Sequence, residues 1–138
     1  MKRSTFNYIK QILKDYPNID KHIQAREEEL RYPYRPADSN AGIKGSKQSD
    51  QMATMLITID QDRRLASLER NKRVIEHNLE HADKDTRTII HEVYICRYPE
   101  YTIGGLAQQM IINCGRTKAF KLRDEFFENV ADDLGLDK

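Results

Sequence analysis

Five cationic side chains lie between residues 97 and 123 of this 138-residue chain, a segment whose only acidic residue is Glu100. They are Arg97, Arg116, Lys118, Lys121 and Arg123. Guanidinium and ammonium groups bind phosphate oxygens, and the planar guanidinium also binds the edges of bases. The chemistry that this segment indicates is recognition of a polyanion such as double-stranded DNA.

The sign of the charge reverses at Asp124. From Asp124 to the C-terminus there are six carboxylates and a single cation, Lys138. Because carboxylates repel phosphates, we expect only the segment before Asp124 to approach DNA. The formal net charge of +1 conceals this local asymmetry.

A supporting helix is predicted over residues 86–98, immediately before the helix breaker Pro99. Its apolar side consists of residues at helical spacing: Ile89, Ile90, Val93 and Cys96. This spacing predicts that the Cys96 side chain lies in the core. Asp83 is a candidate N-cap for the helix.

A short helix and a longer helix are predicted to follow. Thr102 is expected to cap the short helix, and residues 113–115 indicate the turn that ends it. The apolar side of the short helix would be Ile103, Leu106, Ala107 and Met110. The longer helix is expected to begin near Gly115 and to end near Gly135. Its inward residues would be Ala119, Leu122, Phe126 and Val130.

A helical wheel of the longer helix predicts which side chains face solvent. With the apolar side in the core, Thr117 and Lys121 point directly away from it, and Arg116 and Lys118 lie on the flanks. Phe120 lies at the edge, where it packs on the short helix or contacts a thymine methyl group. We expect base-edge contacts from Arg116, Thr117 and Lys121, and phosphate contacts from Arg97, Lys118 and Arg123. The full predicted DNA-binding set is Arg97, Thr102, Arg116, Thr117, Lys118, Lys121 and Arg123.

Two further helices are predicted near the N-terminus. Ser4 is expected to cap the first, which runs to about Tyr16 and is stopped by Pro17. The second extends from about Ile19 to Arg31 and contains few large apolar residues, so it cannot be a buried core helix. Its acidic run over residues 27–29 indicates a solvated face or contact with a basic partner.

The middle of the chain combines a loop with a long helix. Residues 32–48 contain prolines, glycines and no helical period. Tyr32, Tyr34 and Arg35 form a cluster that either stacks on nucleic acid or pins the loop to its neighbours. The pattern over residues 49–81 predicts a helix of about 45 Å, too long for a domain of this size to cover from one side. We therefore expect an N-terminal arm (1–48), a central helix (49–82), a C-terminal DNA-binding domain (83–138) and a homodimer.

Several functional classes are not indicated by the sequence. Cys96 and Cys114 lack the paired spacing of a zinc site, and His77 with His81 lacks further ligands, so no metal or cofactor is expected. The chain shows neither a nucleophile with a base nor a phosphate-binding glycine loop, so an enzyme is not expected. Without an apolar run of membrane-spanning length or a signal peptide, a cytoplasmic protein without a membrane partner is predicted.

Residues 85–134 resemble region 4 of sigma factors, which contains a helix-turn-helix. The whole chain resembles the RinA family of phage transcriptional regulators, which is related in plan to the ArpU family. The similarity rests on Asp15-Tyr16-Pro17, on Tyr-Pro-Tyr-x-Pro-x-Asp-x-Asn-x-Gly over residues 32–42, on the long central helix and on the C-terminal helices.

This resemblance implies an all-α, DNA-binding activator of late phage genes for packaging and assembly, which could also contact RNA polymerase through the acidic residues from Asp124 onward. The alternative from a different class is a DNA-packaging component such as a small terminase subunit, which also joins a helix-turn-helix to oligomerising helices. A third possibility is a protein that binds polymerase without touching DNA.

Overall fold

The computed structural model describes residues 1–31, Thr58 and residues 62–138, and these residues contain helices and no strand. The all-α class is therefore confirmed. The Tyr32, Tyr34 and Arg35 cluster and nearly all of the long helix predicted before Asp62 lie outside the described residues. The chain divides into two compact units, Met1–Asn18 with Arg70–Lys138, and Ile19–Glu69. The predicted boundaries at residues 48 and 82 stay predictions.

The first helix, α1, spans Arg3–Asp15 and buries Ile9, Ile12 and Leu13. Its start differs from the prediction, because Lys2 occupies the N-cap position and no side chain caps the helix. Ser4 lies inside the first turn, so the prediction that it caps α1 was wrong. Pro17 ends the α-helix as expected, and the chain continues through a 3-10 turn at Tyr16–Asn18.

The unit Ile19–Glu69 contains α2, Ile19–Arg31, in which Ile19 is the buried residue, as expected for a helix outside the core. Asp62 precedes α3, Arg63–His81, and accepts a hydrogen bond from the Leu65 N–H at 2.7 Å. Arg26 donates to both oxygens of Asp62, at 2.8 and 3.1 Å. The Arg26 hydrogen bonds, followed by the Leu65 amide, hold the pKa of Asp62 below its ordinary value. One carboxylate therefore both caps α3 and joins it to α2.

The supporting helix consists of two kinds of turn. It starts as α4, Lys84–Ile89, and its N-cap Asp83 accepts a hydrogen bond from the Thr86 N–H at 2.8 Å, which confirms the predicted cap. It continues as a π-helix, Ile90–Ile95, in which the Cys96 N–H donates to the His91 carbonyl at 2.8 Å. The wider π turn buries Tyr94 and Ile95 and leaves Cys96 exposed. The prediction that Cys96 lies in the core was wrong for this reason.

The short helix α5, Ile103–Gln108, buries Ile103 and Leu106 and ends earlier than predicted. Met110 lies beyond its end in the left-handed conformation, with a φ of 57°, and its side chain is 85% exposed. The Ile111 N–H reaches back to the Leu106 carbonyl at 3.0 Å, which is the Schellman termination of a helix. The prediction that Met110 belongs to the apolar side was wrong because the helix does not reach it.

The last helix, α6, spans Arg116–Leu134 and ends at Gly135, whose φ of 67° confirms the predicted C-terminal glycine. The core of the larger unit gathers side chains from α1, α3, the π-helix, α5 and α6. Its fully buried large members include Ile9, Leu13, Ile75, Ile89, Ile90, Leu106, Phe127 and Val130. None of the described helices is long and apolar enough to cross a membrane.

Two residues in the same left-handed conformation should respond to substitution with opposite sign. Met110→Gly should raise the free energy of unfolding by about 0.5–1 kcal/mol, because glycine adopts positive φ without a Cβ clash. Gly135→Ala should lower it by about 1 kcal/mol for the converse reason. Urea denaturation followed by circular dichroism measures both. Two changes of the same sign would contradict the assigned helix ends.

Candidate nucleic-acid interface

The helix α6 has one buried side and one exposed basic side in its first half. The buried side includes Ala119, Phe126, Phe127 and Val130. The exposed side presents four of the predicted DNA contacts: Arg116, Thr117, Lys118 and Lys121. Phe127 was absent from the predicted inward set although it is fully buried, and Leu122 is only half-buried. The packing of α6 thus leaves these four side chains exposed to a partner.

The start of α6 adds to this positive potential. Gly115 occupies the N-cap position with extended backbone and without a side chain that caps the helix. The first amide N–H groups of a helix have no partner within it, and the helix dipole places partial positive charge there. Lys118 and Arg116 lie in the same turn. An anion at this end of α6 would therefore meet both fixed amide dipoles and full cationic charges.

A cleft of about 670 Å³ lies between α5 and the start of α6. Thr102, Gly104, Gly105, Gln108, Arg116 and Phe120 contribute to its lining. The guanidinium of Arg116 stands over the Phe120 ring, with 5.6 Å between Cζ and the ring centroid. A Cβ added at Gly104 would come within 3.5 Å of Arg116 Nε. Arg116 therefore leans along α6 towards α5.

The turn that leads into α6 is tied to the start of α4. Asp85 Oδ1 accepts a hydrogen bond from the Asn113 N–H at 3.1 Å. Burial, reinforced by the Asp85 carboxylate, raises the pKa of the neighbouring Cys114 thiol. Sequence reasoning did not identify Asp85, since its partner lies 28 residues away and no local pattern connects them.

The positive charge of Lys118 stabilises the Asp83 carboxylate at the start of α4. The pKa of Asp83 lies below its ordinary value, first because of its hydrogen bonds with Thr86 and then through the positive charges of Lys118 and Arg87. Lys118 therefore lies close enough to the start of α4 for its charge to act on the Asp83 carboxylate. The Lys118 side chain is exposed.

Arg97 and Thr102 lie on either side of Pro99, before α5. Arg97 is exposed, and its guanidinium lies 5.4 Å from the centroid of the Tyr98 ring. Tyr98 is itself 75% exposed, so this pair projects from the turn. Thr102 Oγ1 accepts a hydrogen bond from the Gly105 N–H at 3.0 Å, which confirms the predicted cap of α5.

Arg123 differs from the other predicted contacts because it is engaged inside the protein. Its side chain is 17% exposed, and Nη1 donates to the Tyr94 hydroxyl at 2.7 Å while Nε donates to Asp124 at 2.6 Å. The guanidinium also lies over the rings of Phe6, Phe120 and Phe127, at 5.1, 5.3 and 5.9 Å. Arg123 thereby joins α6 to α1 and the π-helix.

The histidine pair on α3 is exposed. The rings of His77 and His81 lie 4.3 Å apart, and His81 Nδ1 hydrogen-bonds to the His77 carbonyl at 2.8 Å. In the part of the chain that the structure describes, no three His, Cys, Asp or Glu side chains form a group that could hold a metal ion.

A comparison with family models matches residues 6–132, nearly the whole chain, to the family described as "Protein of unknown function (DUF722)". No curated protein and no solved structure matches the chain. The match covers most of α1 and all but the end of α6, so the family relationship extends over both compact units.

Replacing Arg123 should destabilise the protein. Arg123→Ala is expected to lower the free energy of unfolding by about 1–3 kcal/mol, since it removes a charged hydrogen bond and contacts with three aromatic rings. Arg123→Lys should retain only part of the stability that Arg123 contributes, because an ammonium group lacks the planar donors and the stacking face of a guanidinium. The exposed Arg73→Ala is the control, with a change within about 0.5 kcal/mol in urea denaturation. Equal effects of Arg123→Ala and Arg73→Ala would contradict the role of Arg123.

Removing the cap of α4 should destabilise the protein in a pH-dependent way. Asp83→Ala is expected to cost about 0.5–2 kcal/mol at neutral pH. Because folding lowers the pKa of Asp83, its stabilisation is complete above the pKa of the unfolded chain, about 4, and disappears as the pH falls through the lower folded pKa. Urea denaturation between about pH 3 and 7 should show the two proteins converging at acid pH. Asp83→Asn, a neutral cap, is the control, and a gap that stays constant with pH would contradict the assignment.

Proposed function

This chain belongs to the DUF722 family, and we propose that it is a sequence-specific regulator of transcription that binds double-stranded DNA through the first half of α6. The observation that carries the proposal is the exposure of Arg116, Thr117, Lys118 and Lys121 on a helix whose other side is buried. A helix of this kind, preceded by a short helix and a turn, suits the DNA major groove. The resemblance to RinA regulators favours an activator of late phage genes.

Each part of the interface has its own role in this proposal. Thr117 and Lys121 point outward and contact base edges, while Lys118 on the flank contacts a phosphate. Arg97 and Thr102, which precede α5, supply further contacts with the DNA backbone. Arg123 supports these residues from within, since it holds α6 against Tyr94 of the π-helix and Phe6 of α1. Specificity then comes from a few outward side chains on a rigid helix.

The acidic second half of α6 sets the limit of the DNA contact. Glu125, Glu128, Asp132 and Asp133 are exposed, so they would repel the phosphates of a duplex laid along the whole helix. Only the end of α6 that contains Arg116 should enter the groove. Because the chain resembles sigma region 4, we assign the acidic half of α6 as the surface that contacts RNA polymerase.

A fluorescence-anisotropy titration tests the DNA contact. Labelled duplexes, selected by the protein from a random library, are titrated at two salt concentrations. The double variant Arg116→Ala, Lys121→Ala should bind at least about tenfold more weakly, because it loses two contacts with the DNA. Lys10→Ala, Lys14→Ala removes the same charge from exposed positions on α1 and should change the affinity by less than about twofold.

Two results of this titration would contradict the proposal. One is equal binding of selected and unselected duplexes that disappears with salt, since that marks an electrostatic anchor rather than sequence recognition. The other is a loss of affinity in the α1 control variant as large as the loss in the Arg116→Ala, Lys121→Ala variant.

The oligomeric state separates regulation from packaging. A regulator that reads two half-sites is expected to be a homodimer. Light scattering of the full chain should then give twice the mass of 16.2 kDa. A ring of eight or more subunits would favour the packaging role of a small terminase subunit instead.

A further inference from the structure

The cleft between α5 and α6 has a chemistry of its own. Arg116 leans from α6 towards Gly104, whereas Thr117 and Lys121 point outward. The Arg116 guanidinium lies over the Phe120 ring and is directed into the cleft. The Lys121 side chain is directed outward instead. Arg116 and Lys121 would therefore contact different parts of a bound duplex.

The lining of the cleft is rich in hydrogen-bond donors. Arg116 supplies guanidinium N–H groups, and the amide of Gln108 supplies two more N–H donors. Thr102 uses an oxygen lone pair to accept from the Gly105 N–H, so its own O–H can donate to a ligand. No carboxylate lines this cleft within the described part of the chain. A ligand that is anionic and carries only acceptor oxygens is the complement of such a lining.

The two glycines keep the cleft open. A Cβ at Gly104 would lie 3.5 Å from Arg116 Nε, and one at Gly105 would lie 3.2 Å from Thr102 Oγ1. A methyl group at residue 104 would make an ordinary contact, but a longer side chain would occupy the space beside the guanidinium. The volume of about 670 Å³ is open to an extended ligand such as a nucleic-acid strand.

We propose that this cleft binds one phosphodiester group of the DNA backbone through Arg116, Gln108 and Thr102. This inference rests on the proposed DNA binding and deepens it. It makes Arg116 a contact that sets the position of the protein along the duplex, in place of the base-reading role predicted from the helical wheel. It also adds Gln108 to the DNA-binding residues.

The test uses a duplex of about 30 base pairs selected by the wild-type protein, together with a panel in which each base pair is substituted singly. Arg116→Ala should weaken binding about 5- to 20-fold on every member of the panel, with unchanged base preference, and should reduce the slope of log K against log salt by about 0.9. Gln108→Ala should weaken binding on every member without a change of slope, because the amide is neutral.

A single neutral phosphate identifies the bound group directly. A series of duplexes, each with one methylphosphonate, should contain one position that weakens wild-type binding by at least the same factor as Arg116→Ala. At that position the Arg116→Ala variant should lose much less affinity than the wild type loses, since the Arg116 contact is already gone and only those of Gln108 and Thr102 remain. Lys121→Ala is the comparison variant and should remain sensitive to the same methylphosphonate.

A pair of substitutions at Gly104 separates charge from volume. Gly104→Gln and Gly104→Glu have nearly the same size, so both occupy the cleft, but only the carboxylate repels a phosphate and pairs with Arg116. Both variants should weaken binding, and Gly104→Glu should weaken it at least about tenfold more. Gln109→Glu places the same charge on an exposed residue at the other end of α5 and is the control. Circular dichroism verifies that each variant is folded.

Three outcomes would overturn this inference. Loss of discrimination at one base pair in Arg116→Ala would make Arg116 a base reader, and equal binding by Gly104→Gln and Gly104→Glu would exclude a phosphate in the cleft. If every methylphosphonate weakened binding by Arg116→Ala as much as it weakens binding by the wild type, a phosphate contact of Arg116 would also be excluded. Failure of the wild-type protein to select any duplex is distinguishable from these results, because it refutes the proposed function before any variant is compared.

Discussion

The burial of one side of α6 is the constraint on which the proposed interface depends. Ala119, Phe126, Phe127 and Val130 are each removed from solvent by the core, so the helix has one allowed rotation about its axis. Burying a side chain such as phenylalanine contributes about 1.5–3 kcal/mol, more than an exposed ion pair contributes. Apolar packing thus decides which polar residues of α6 face outward, and the cations there need no structural partner.

Arg123 refines this arrangement by fixing the rotation with a polar contact. Its hydrogen bond to Tyr94 connects α6 to the π-helix, and its position over Phe6 connects α6 to α1. The π turn matters here, because its wider spacing directs Tyr94 inward and turns Cys96 outward. A local distortion of one helix therefore helps to orient the basic surface of another.

Local signals in the sequence predicted much of the fold. Asp83, Thr102 and Gly135 each act within one helical turn, where capping chemistry leaves a clear pattern, and all three were predicted correctly. The bounds of α2 and three of the six buried residues of α6, Ala119, Phe126 and Val130, were also predicted. The errors at Ser4, Cys96 and Met110 concern where a helix begins, widens or ends, which the tertiary packing decides.

The candidate site was predictable in its charge but not in its geometry. The reversal at Asp124 and the outward direction of Thr117 and Lys121 follow from spacing alone. The engagement of Arg123 does not, because Tyr94 lies 29 residues away in the chain. Nor could the sequence indicate that Arg116 leans towards Gly104, since that contact joins two helices across a turn. Both concern long side chains whose partners are set by tertiary structure.

An NMR titration of the ¹⁵N-labelled protein with a selected duplex tests the central claim most directly, because it reports every backbone amide at once. The largest shift changes should fall on the amides of Thr102–Gln108 and of the first half of α6, from Arg116 to Arg123. The acidic half of α6 and the exposed side of α1 should change little. Changes centred on Asp124–Leu134 or on α2, with Thr117 and Lys121 unaffected, would contradict DNA recognition by the start of α6.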